Sequence, residues 1–213
     1  MTPVVCLITD RARVGGADGV VARVSWAARA GVHLVQVRER DLDGGPLTAL
    51  VRRCVEAVRG SGVRVLVNDR LDVALAAGAH GVHLRADSMP ARSVRTACPP
   101  GFLIGRSVHA TDEAIAAAAA GGLDYLLFGT VFATASKPGR AASGASALAD
   151  AVAATSIPVL AVGGMTADKV GDVAAAGAAG FAAIGMFADG SEAEIWRAVR
   201  SWIHSNAARS TGS

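Results

Sequence analysis

The sequence is poor in aromatic residues, in cysteine and in long apolar runs, and each shortage excludes a class of function. Aromatic residues make up 4% of the 213 residues, with a single tyrosine and five phenylalanines. Few side chains are therefore available to stack on nucleic-acid bases, and the 21 lysines and arginines form no dense basic run. Nucleic-acid binding is disfavoured, and the net charge of +3 suits small anionic ligands better.

The three cysteines, Cys6, Cys54 and Cys98, lie far apart and form no C-x-x-C pair. An odd number with this spacing argues against a disulfide framework and indicates reduced, mostly buried thiols. No two histidines have the spacing of zinc ligands either. The sequence therefore predicts no zinc site.

Apolar runs stay well short of the roughly 18 residues that a membrane-spanning helix needs, because glycines and charges interrupt the alanine-rich segments. The chain enters a strand-like segment at Val4, with no basic region or long apolar signal segment before it. We therefore expect a cytoplasmic protein with no membrane partner. Its composition, 52% hydrophobic and 18% charged, is typical of a globular chain with one sizeable core.

Short apolar segments alternate with helical patterns along the whole chain, from residues 4–9 to residues 180–184. Eight such strand–helix pairs at regular spacing predict an α/β fold, a single (β/α)8 TIM barrel. We expect one domain over residues 1–213, with a last helix at 192–206 and a frayed tail at 207–213. An open doubly wound sheet is the alternative, but no G-x-G-x-x-G follows the first strand.

Residues 157–186 hold two strand-like segments that each end in glycine, at Gly163-Gly164 and at Gly185. The loops after the last two strands of a (β/α)8 barrel often bind a phosphate. Glycine also lets an oxyanion approach the backbone N–H groups closely. The pattern predicts a phosphate site here, and the alternative is that these glycines only form tight turns.

In such a barrel, catalytic and binding residues belong at the carboxyl ends of the strands. Polar residues cluster at these predicted positions in six consecutive segments: Gln36, Arg38 and Arg40; Asn68 and Asp69; His83 and Arg85; Ser107 and His109; Thr130; and Thr134, Ser136 and Lys137 in the loop that follows. The cluster as a whole is a stronger indication of a site than any one of its members.

His109 is the candidate catalytic residue, because histidine titrates near neutrality and can pass a proton in both directions. The alternative for His109 is packing or capping at a loop. His83 lies within the apolar segment GVHL, where a hydrogen-bonded core histidine is the better interpretation. Lys137 lies in a glycine- and serine-rich loop, where closure over a ligand and simple solvation are equally compatible with the spacing.

Arg38 and Arg40 are two residues apart and would share one face of a strand, where both would face a carboxylate or phosphate. Salt bridges with neighbouring acidic residues are the alternative. Asp69 supplies one carboxylate for a magnesium ion, which is enough only when substrate phosphates complete the coordination shell.

Six segments together resemble the thiamine phosphate synthase and thiazole tautomerase superfamily. They are VQVRER (35–40), VNDRLDVAL (67–75), GVHL (81–84), IGRSVH (104–109), DYLLFGTVFATASKPG (124–139) and PVLAVGGM (158–165). The resemblance implies a (β/α)8 barrel, a homodimer, and a thiazole or pyrimidine phosphate as the small-molecule partner.

The tautomerase branch of the superfamily is the closer resemblance. It implies an isomerase of thiamine biosynthesis that converts a carboxylated, non-aromatic thiazole phosphate to the aromatic thiazole without a cofactor. His109 would move the proton, and the carboxylate would lie against Arg38, Arg40 or Lys137. Further substrate contacts are expected from Gln36, Asn68, Thr130 and Thr134, and the backbone of Gly163, Gly164, Gly185 and Met186 would bind the phosphate. Some tautomerases carry a second histidine where this chain has Thr130.

The alternative is the synthase, which joins a pyrimidine pyrophosphate to a thiazole phosphate and needs Mg2+. Two departures count against it: Arg40 replaces a lysine, and Ser88 replaces an aspartate that helps to bind the metal. Asp69 and Asp87 would then hold the ion, whereas the tautomerase needs no metal. A third hypothesis is a barrel that binds thiazole phosphate without catalysis.

Overall fold

The structure, a computed structural model, describes residues 4–134 and 141–210. Eight parallel strands pair in chain order, and β8 pairs with β1 to close a barrel. The strands are β1 (Val4–Ile8), β2 (Leu34–Val37), β3 (Arg64–Asn68), β4 (Gly81–Leu84), β5 (Leu103–Val108), β6 (Tyr125–Phe128), β7 (Val159–Val162) and β8 (Gly180–Ala183). The predicted single (β/α)8 barrel is confirmed.

Helices cover the outside of the barrel and follow the strands in turn. They are α1 (Ala17–Arg29), α2 (Gly44–Ala57), α3 (Leu71–Ala76), α4 (Ala91–Thr96), α5 (Thr111–Ala120), α6 (Gly144–Ala153), α7 (Val170–Ala175), α8 (Gly185–Asp189) and α9 (Glu192–Ser210). Short 3-10 helices at Arg11–Arg13 and Ala167–Lys169 precede α1 and α7. None of the helices in the described part of the chain is long and apolar enough to cross a membrane.

The strands are buried on both faces, which explains why they appear in the sequence as continuous apolar runs. In β3, Val65 and Val67 pack in the core between strands and helices, whereas Leu66 packs in a second core inside the barrel. The inner core also contains Cys6, Tyr125 and Leu160. Side chains that alternate between two apolar layers leave polar groups a place only at the strand ends.

Near both ends of the chain, the helices differ from those predicted from the sequence. Helix α9 continues to Ser210 and does not end at Asn206 as predicted. It is anchored by Trp202, which is fully buried and meets the ring of Phe181 in β8 edge-on, with 5.6 Å between the ring centroids. At the other end, the 3-10 helix Arg11–Arg13 follows β1, where no helix was predicted.

Candidate functional site

A cavity of about 710 Å3 opens at the carboxyl ends of the strands. Ten of the predicted site residues line it: Gln36, Arg38, Asn68, His109, Thr130, Thr134, Gly163, Gly164, Gly185 and Met186. Arg40 is absent from the lining, and Lys137 lies outside the described residues. The barrel therefore brings together residues at or just after the ends of β2, β3, β5, β6 and β7 with the first two residues of α8.

Gln36 is the last inward-facing residue of β2 and is 2% exposed. Its amide nitrogen Nε2 is buried and, within the described residues, has no hydrogen-bond partner. A buried donor without an acceptor is unfavourable by about 1–3 kcal/mol, so native structures rarely leave one unsatisfied. Because Gln36 lines the cavity, a ligand atom that accepts a hydrogen bond would satisfy this donor.

Arg38 is positioned by a network of hydrogen bonds behind the loop that follows β2. Its backbone N–H donates to Thr9 Oγ1 at 3.0 Å, and the Thr9 hydroxyl donates in turn to the Glu39 carboxylate. Glu39 also accepts the backbone N–H of Arg11 at 3.0 Å. Burial raises the pKa of Glu39. Burial and the neighbouring Arg40 lower the pKa of Arg38, so an anionic ligand would relieve an unfavourable environment.

The predicted pairing of Arg38 with Arg40 on one strand face does not occur. Strand β2 ends at Val37, so both arginines lie in the following loop and the alternation of a strand no longer applies. Arg38 is half-buried and lines the cavity, whereas Arg40 is exposed outside it. Glu39, between them, is 6% exposed.

His83 is a buried histidine whose two ring nitrogens are both hydrogen-bonded, as the sequence predicted. Nδ1 lies 2.9 Å from the Tyr125 hydroxyl and Nε2 lies 2.9 Å from Ser107 Oγ. Burial, with smaller contributions from Arg106 and Arg38, lowers the pKa of His83 to about 3. The ring is therefore neutral at physiological pH. His83 and Ser107 also line the cavity, so this pair belongs to the site as well as to the core.

His109 follows β5 and is fixed from two sides. Its Nδ1 contacts the carbonyl oxygen of Gly129, and its backbone N–H donates to Glu113 Oε2 at 2.7 Å in the first turn of α5. Because a carbonyl oxygen only accepts, Nδ1 carries a proton in this contact, and Nε2 is the ring nitrogen left for a ligand. The ring is half-buried on the cavity lining, where Nε2 is available to a substrate.

The loop after β7 requires glycine for steric reasons. Gly163 and Gly164 have φ angles of 100° and 62°, which disfavour other residues. A Cβ atom at Gly164 would lie 2.4 Å from the carbonyl oxygen of Ala133, which leaves no room for a side chain. Gly163 and Gly164 therefore form a tight turn, and the predicted phosphate site here stays a prediction. Their backbone also lines the cavity together with Gly185 and Met186, so the turn leaves main-chain groups open to a ligand.

Four charged residues on the lining were not predicted as site residues: Asp10, Arg13, Asp189 and Glu194. Asp10 and Arg13 follow β1, and Arg13 forms an ion pair with Asp189 at the end of α8. The signal for Arg13 was present, because the residues that follow any barrel strand are candidates.

The superfamily that the sequence resembles is confirmed by the family to which the chain matches. The family described as thiamine monophosphate synthase matches residues 5–187 of this chain. The chain belongs to the thiamine monophosphate synthase family. Individual relatives are also similar in sequence to this chain over most of its length.

A thiamine-phosphate synthase of Methanoculleus marisnigri is 43% identical over 176 residues, which cover 82% of either chain. A thiamine-phosphate synthase of Chlorobium luteolum is 37% identical over 184 residues, covering 86% of this chain and 84% of the other. The solved structure of a thiamine phosphate pyrophosphorylase from Pyrococcus furiosus is similar with a TM-score of 0.84 and 29% identity. The match covers 96% of this chain and 97% of that chain.

These relatives correct the predicted function. The expected thiazole tautomerase, an isomerase, is wrong, because similar proteins that align over most of the chain are named synthases, which are transferases. The two departures from the synthase pattern, Arg40 and Ser88, have structural explanations. Arg40 is exposed outside the cavity lining, so the change from lysine to arginine keeps a positive charge there without altering the lining. Ser88 keeps an oxygen donor in contact with Asp69.

The surroundings of Asp69 fit the magnesium ion that the synthase family implies. The Ser88 hydroxyl donates to Asp69 Oδ1, and Arg85 Nε lies 3.4 Å from Oδ2. A carboxylate and a hydroxyl are the hard oxygen ligands that Mg2+ prefers, and one or two carboxylates are enough when substrate phosphates contribute. Asn68, the preceding residue, lines the cavity, whereas Asp69 and Ser88 lie beside it and are not on the lining.

Asp87, the second expected carboxylate, is directed to a different partner. Arg85 donates to both of its oxygens, at 2.9 and 2.8 Å, and this hydrogen bonding lowers the pKa of Asp87. Within residues 4–134 and 141–210, no group of three or more His, Cys, Asp or Glu side chains is arranged to hold a metal. A magnesium ion at Asp69 would therefore take most of its ligands from substrate phosphates and water.

Proposed function

We propose that this protein is a thiamine-phosphate synthase, which joins hydroxymethylpyrimidine pyrophosphate to thiazole phosphate. The thiazole nitrogen bonds to the methylene carbon of the pyrimidine, and the bond from that carbon to the pyrophosphate oxygen breaks. Pyrophosphate leaves with the electron pair. The observation that carries this proposal is the 43% identity to a thiamine-phosphate synthase over 82% of either chain. A polar cavity at the catalytic end of the barrel supports it.

The amides of Gln36 and Asn68 are assigned to the pyrimidine. The unpartnered Nε2 of Gln36 supports this assignment, because a pyrimidine ring nitrogen is an acceptor that would satisfy it. Asn68 ends β3 next to β2, so both amides lie at the same side of the cavity. Two directional amides at one side favour a flat heterocycle with several polar atoms over a simple phosphate.

Charged groups of the substrates are assigned to the other polar parts of the lining. Arg38 would bind the pyrophosphate, because its guanidinium offers forked hydrogen bonds to phosphate oxygens. The backbone of Gly163, Gly164, Gly185 and Met186 would bind the thiazole phosphate, with the Thr130 and Thr134 side chains beside it. Lys137 stays a predicted substrate contact in the loop after β6.

His83, Ser107 and His109 are assigned to holding the substrates in line for the bond that forms. Neutral His83 holds the Ser107 hydroxyl at 2.9 Å, which fixes a polar atom at the cavity wall without adding charge. His109, which follows β5 on the same cavity lining, would offer Nε2 as an acceptor. Proximity and orientation of two bound reactants are themselves a large part of the rate enhancement in a condensation of this type.

Asp69 and Ser88 would hold the magnesium ion. When bound, Mg2+ neutralises the negative charge that develops on the leaving pyrophosphate. The protein's own contribution is to fix Asp69 through the Ser88 hydroxyl and the nearby Arg85. The homodimer implied by the resemblance also stays a prediction.

A two-substrate assay tests the proposal. The purified protein is incubated with hydroxymethylpyrimidine pyrophosphate, thiazole phosphate and Mg2+, and both thiamine phosphate and pyrophosphate are measured. We expect equal amounts of the two products and no turnover after chelation of the metal. Asp69→Asn should lower kcat by about tenfold or more, because a metal-binding carboxylate is lost.

Asp72→Asn is the matched control, because Asp72 is an exposed carboxylate in α3. It forms an ion pair with Arg70 at 2.6 Å, and neither residue is on the cavity lining. Its activity should equal that of the wild type. Absence of thiamine phosphate under these conditions would refute the proposed function. So would pyrophosphate release that does not require thiazole phosphate.

A further inference from the structure

Arg13 is a second arginine on the cavity lining, and its neighbours differ from those of Arg38. It ends the 3-10 helix Arg11–Arg13 after β1, and β1 lies between β8 and β2 in the barrel. Of the described lining residues, Arg13 and Arg38 are the ones with a permanent positive charge. Arg38 lies beside the amides of β2 and β3, whereas Arg13 lies on the side of β8.

The guanidinium of Arg13 lies near Gly185, on the side where a side chain would project. A methyl group at Gly185 would be 3.6 Å from Arg13 Nη1 and 3.7 Å from Nη2. The same point is 3.7 Å from Asp189 Oδ2. The arginine, the aspartate and the Gly185 backbone therefore border one small region of the cavity, next to the glycine turn after β7.

Asp189 is held in this region by its neighbours in the chain. Arg23 of α1 donates to the carbonyl oxygens of Ala188 and Gly190, at 3.3 and 3.2 Å. These two bonds fix the backbone on both sides of Asp189, whose Oδ2 accepts from Arg13 Nη2. The carboxylate thus holds the guanidinium at the cavity wall, where it faces the Gly185 backbone.

The ion pair is well placed for exchange. The side chains of Arg13 and Asp189 are 37% and 57% exposed, so water screens their attraction and the pair contributes little to stability. A phosphate monoester carries more charge than a carboxylate and offers three oxygens in a geometry that matches the guanidinium fork. A bound phosphate would therefore compete with Asp189 for Arg13.

We infer that Arg13 binds the phosphate of the thiazole substrate and that Asp189 holds Arg13 in position until the phosphate replaces it. The identity of the substrate rests on the proposed function, whereas the phosphate chemistry of the site does not. Arg13 is thus a binding and specificity residue, and Asp189 is a positioning residue that competes with the ligand. The two side chains should then have opposite effects on phosphate affinity.

Binding of inorganic phosphate and of thiazole phosphate to the intact protein, measured by calorimetry without the second substrate, tests the inference. Arg13→Ala should weaken binding of both by about tenfold to a hundredfold, the usual effect of losing a charged hydrogen bond. Asp189→Asn should strengthen binding by a few-fold, because the competing charge is removed. The thiazole alcohol that lacks the phosphate should bind all three proteins equally.

Arg53→Ala and Asp18→Asn are the matched controls, because that ion pair joins α1 and α2 on the outer surface at 2.6 Å. Both should bind like the wild type. Unchanged phosphate affinity in Arg13→Ala, or weaker binding in Asp189→Asn, would overturn the inference and make the pair a purely structural link. Wild-type protein that binds neither phosphate ligand would also overturn it. Phosphate binding that depends on Arg13 without synthase turnover would instead refute the proposed function alone.

Discussion

At the scale of single residues, His83 shows how burial sets a protonation state. Both ring nitrogens bond to hydroxyl groups, and no carboxylate is among these partners. Its pKa is lowered from 6.5 to about 3 by burial and by Arg106 and Arg38. Below pH 6.5, His83 therefore binds a proton in the unfolded chain but not in the folded barrel. The folded state loses stability as the pH falls through this window.

We expect the free energy of unfolding to fall by about 2 kcal/mol between pH 8 and pH 5 because of His83, since each pH unit below 6.5 is worth about 1.4 kcal/mol. Urea unfolding at the two pH values measures this difference. His83→Gln, which keeps polar groups but cannot titrate, should reduce the loss by about that amount.

His204→Gln is the matched control, because His204 is exposed on α9 and bonds only to the Arg200 carbonyl among the contacts of the described residues. The loss between pH 8 and pH 5 should be the same in this variant as in the wild type. A His83→Gln protein that loses as much stability as the wild type would show that other groups cause the effect.

Single residues also mark where sequence reasoning was limited. The polar residues at strand ends were predictable, because a closed parallel barrel has one catalytic end and strands have period two. Arg38 and Arg40 show the limit, since the end of β2 at Val37 decides which arginine reaches the cavity. The buried Glu39 fixes that loop through Thr9, a contact across 30 residues that no local pattern indicates.

At the scale of elements, β5 and β6 fit together because one of their paired residues is glycine. Gly105 and Tyr125 are direct partners across the two strands. A Cβ atom at Gly105 would lie 2.1 Å from Tyr125 Cζ, so the ring occupies the space that a side chain would take. This arrangement lets the Tyr125 hydroxyl reach His83 Nδ1 at 2.9 Å.

We therefore expect Gly105→Ala to destabilise the barrel by about 3 kcal/mol or more, the upper end of the effect of overpacking a core. In a Tyr125→Ala background the same substitution should be unfavourable by less than about 1 kcal/mol, because the clashing ring is gone. Chemical denaturation of the two single variants and the double variant gives both values as a double-mutant cycle.

Gly171→Ala is the matched control, because Gly171 lies in α7 with nothing within 4 Å of the added methyl group. Alanine should be neutral there or stabilise the helix by up to about 1 kcal/mol. Additive effects of Gly105→Ala and Tyr125→Ala would contradict the proposed steric conflict between the two positions.

The strands and helices that recur along the chain were predictable from the sequence. The eight strands appear as short apolar runs because they are buried on both faces, and their order in the barrel follows from their order in the chain. Helix α8 was not predicted, because it has only five residues and begins at Gly185, which the sequence indicated as a glycine turn after the last strand.

At the scale of the whole molecule, closure of the barrel joins parts of the chain that are far apart in sequence. Arg13 and Asp189 are 176 residues apart, yet they meet because β8 pairs with β1. The cavity is thus a property of the closed barrel, and the unfolded chain has no equivalent of it. Ligand affinity and global stability are therefore linked.

This linkage predicts that thiamine phosphate, the product of the proposed reaction, stabilises the whole barrel. At a concentration 100 times its Kd it should raise the free energy of unfolding by about 2.7 kcal/mol. For a chain of this length that corresponds to an increase in Tm of about 5–10 °C, which calorimetry measures directly.

Thiamine without its phosphate, at the same concentration, is the control ligand. Its shift should be much smaller, because it lacks the group that the glycine backbone and Arg13 are proposed to bind. Equal shifts for the two compounds would mean that the phosphate makes no net contribution to binding. The Arg13→Ala protein should show a smaller difference between the two ligands than the wild type, because one of the phosphate contacts is lost while the aromatic rings bind as before.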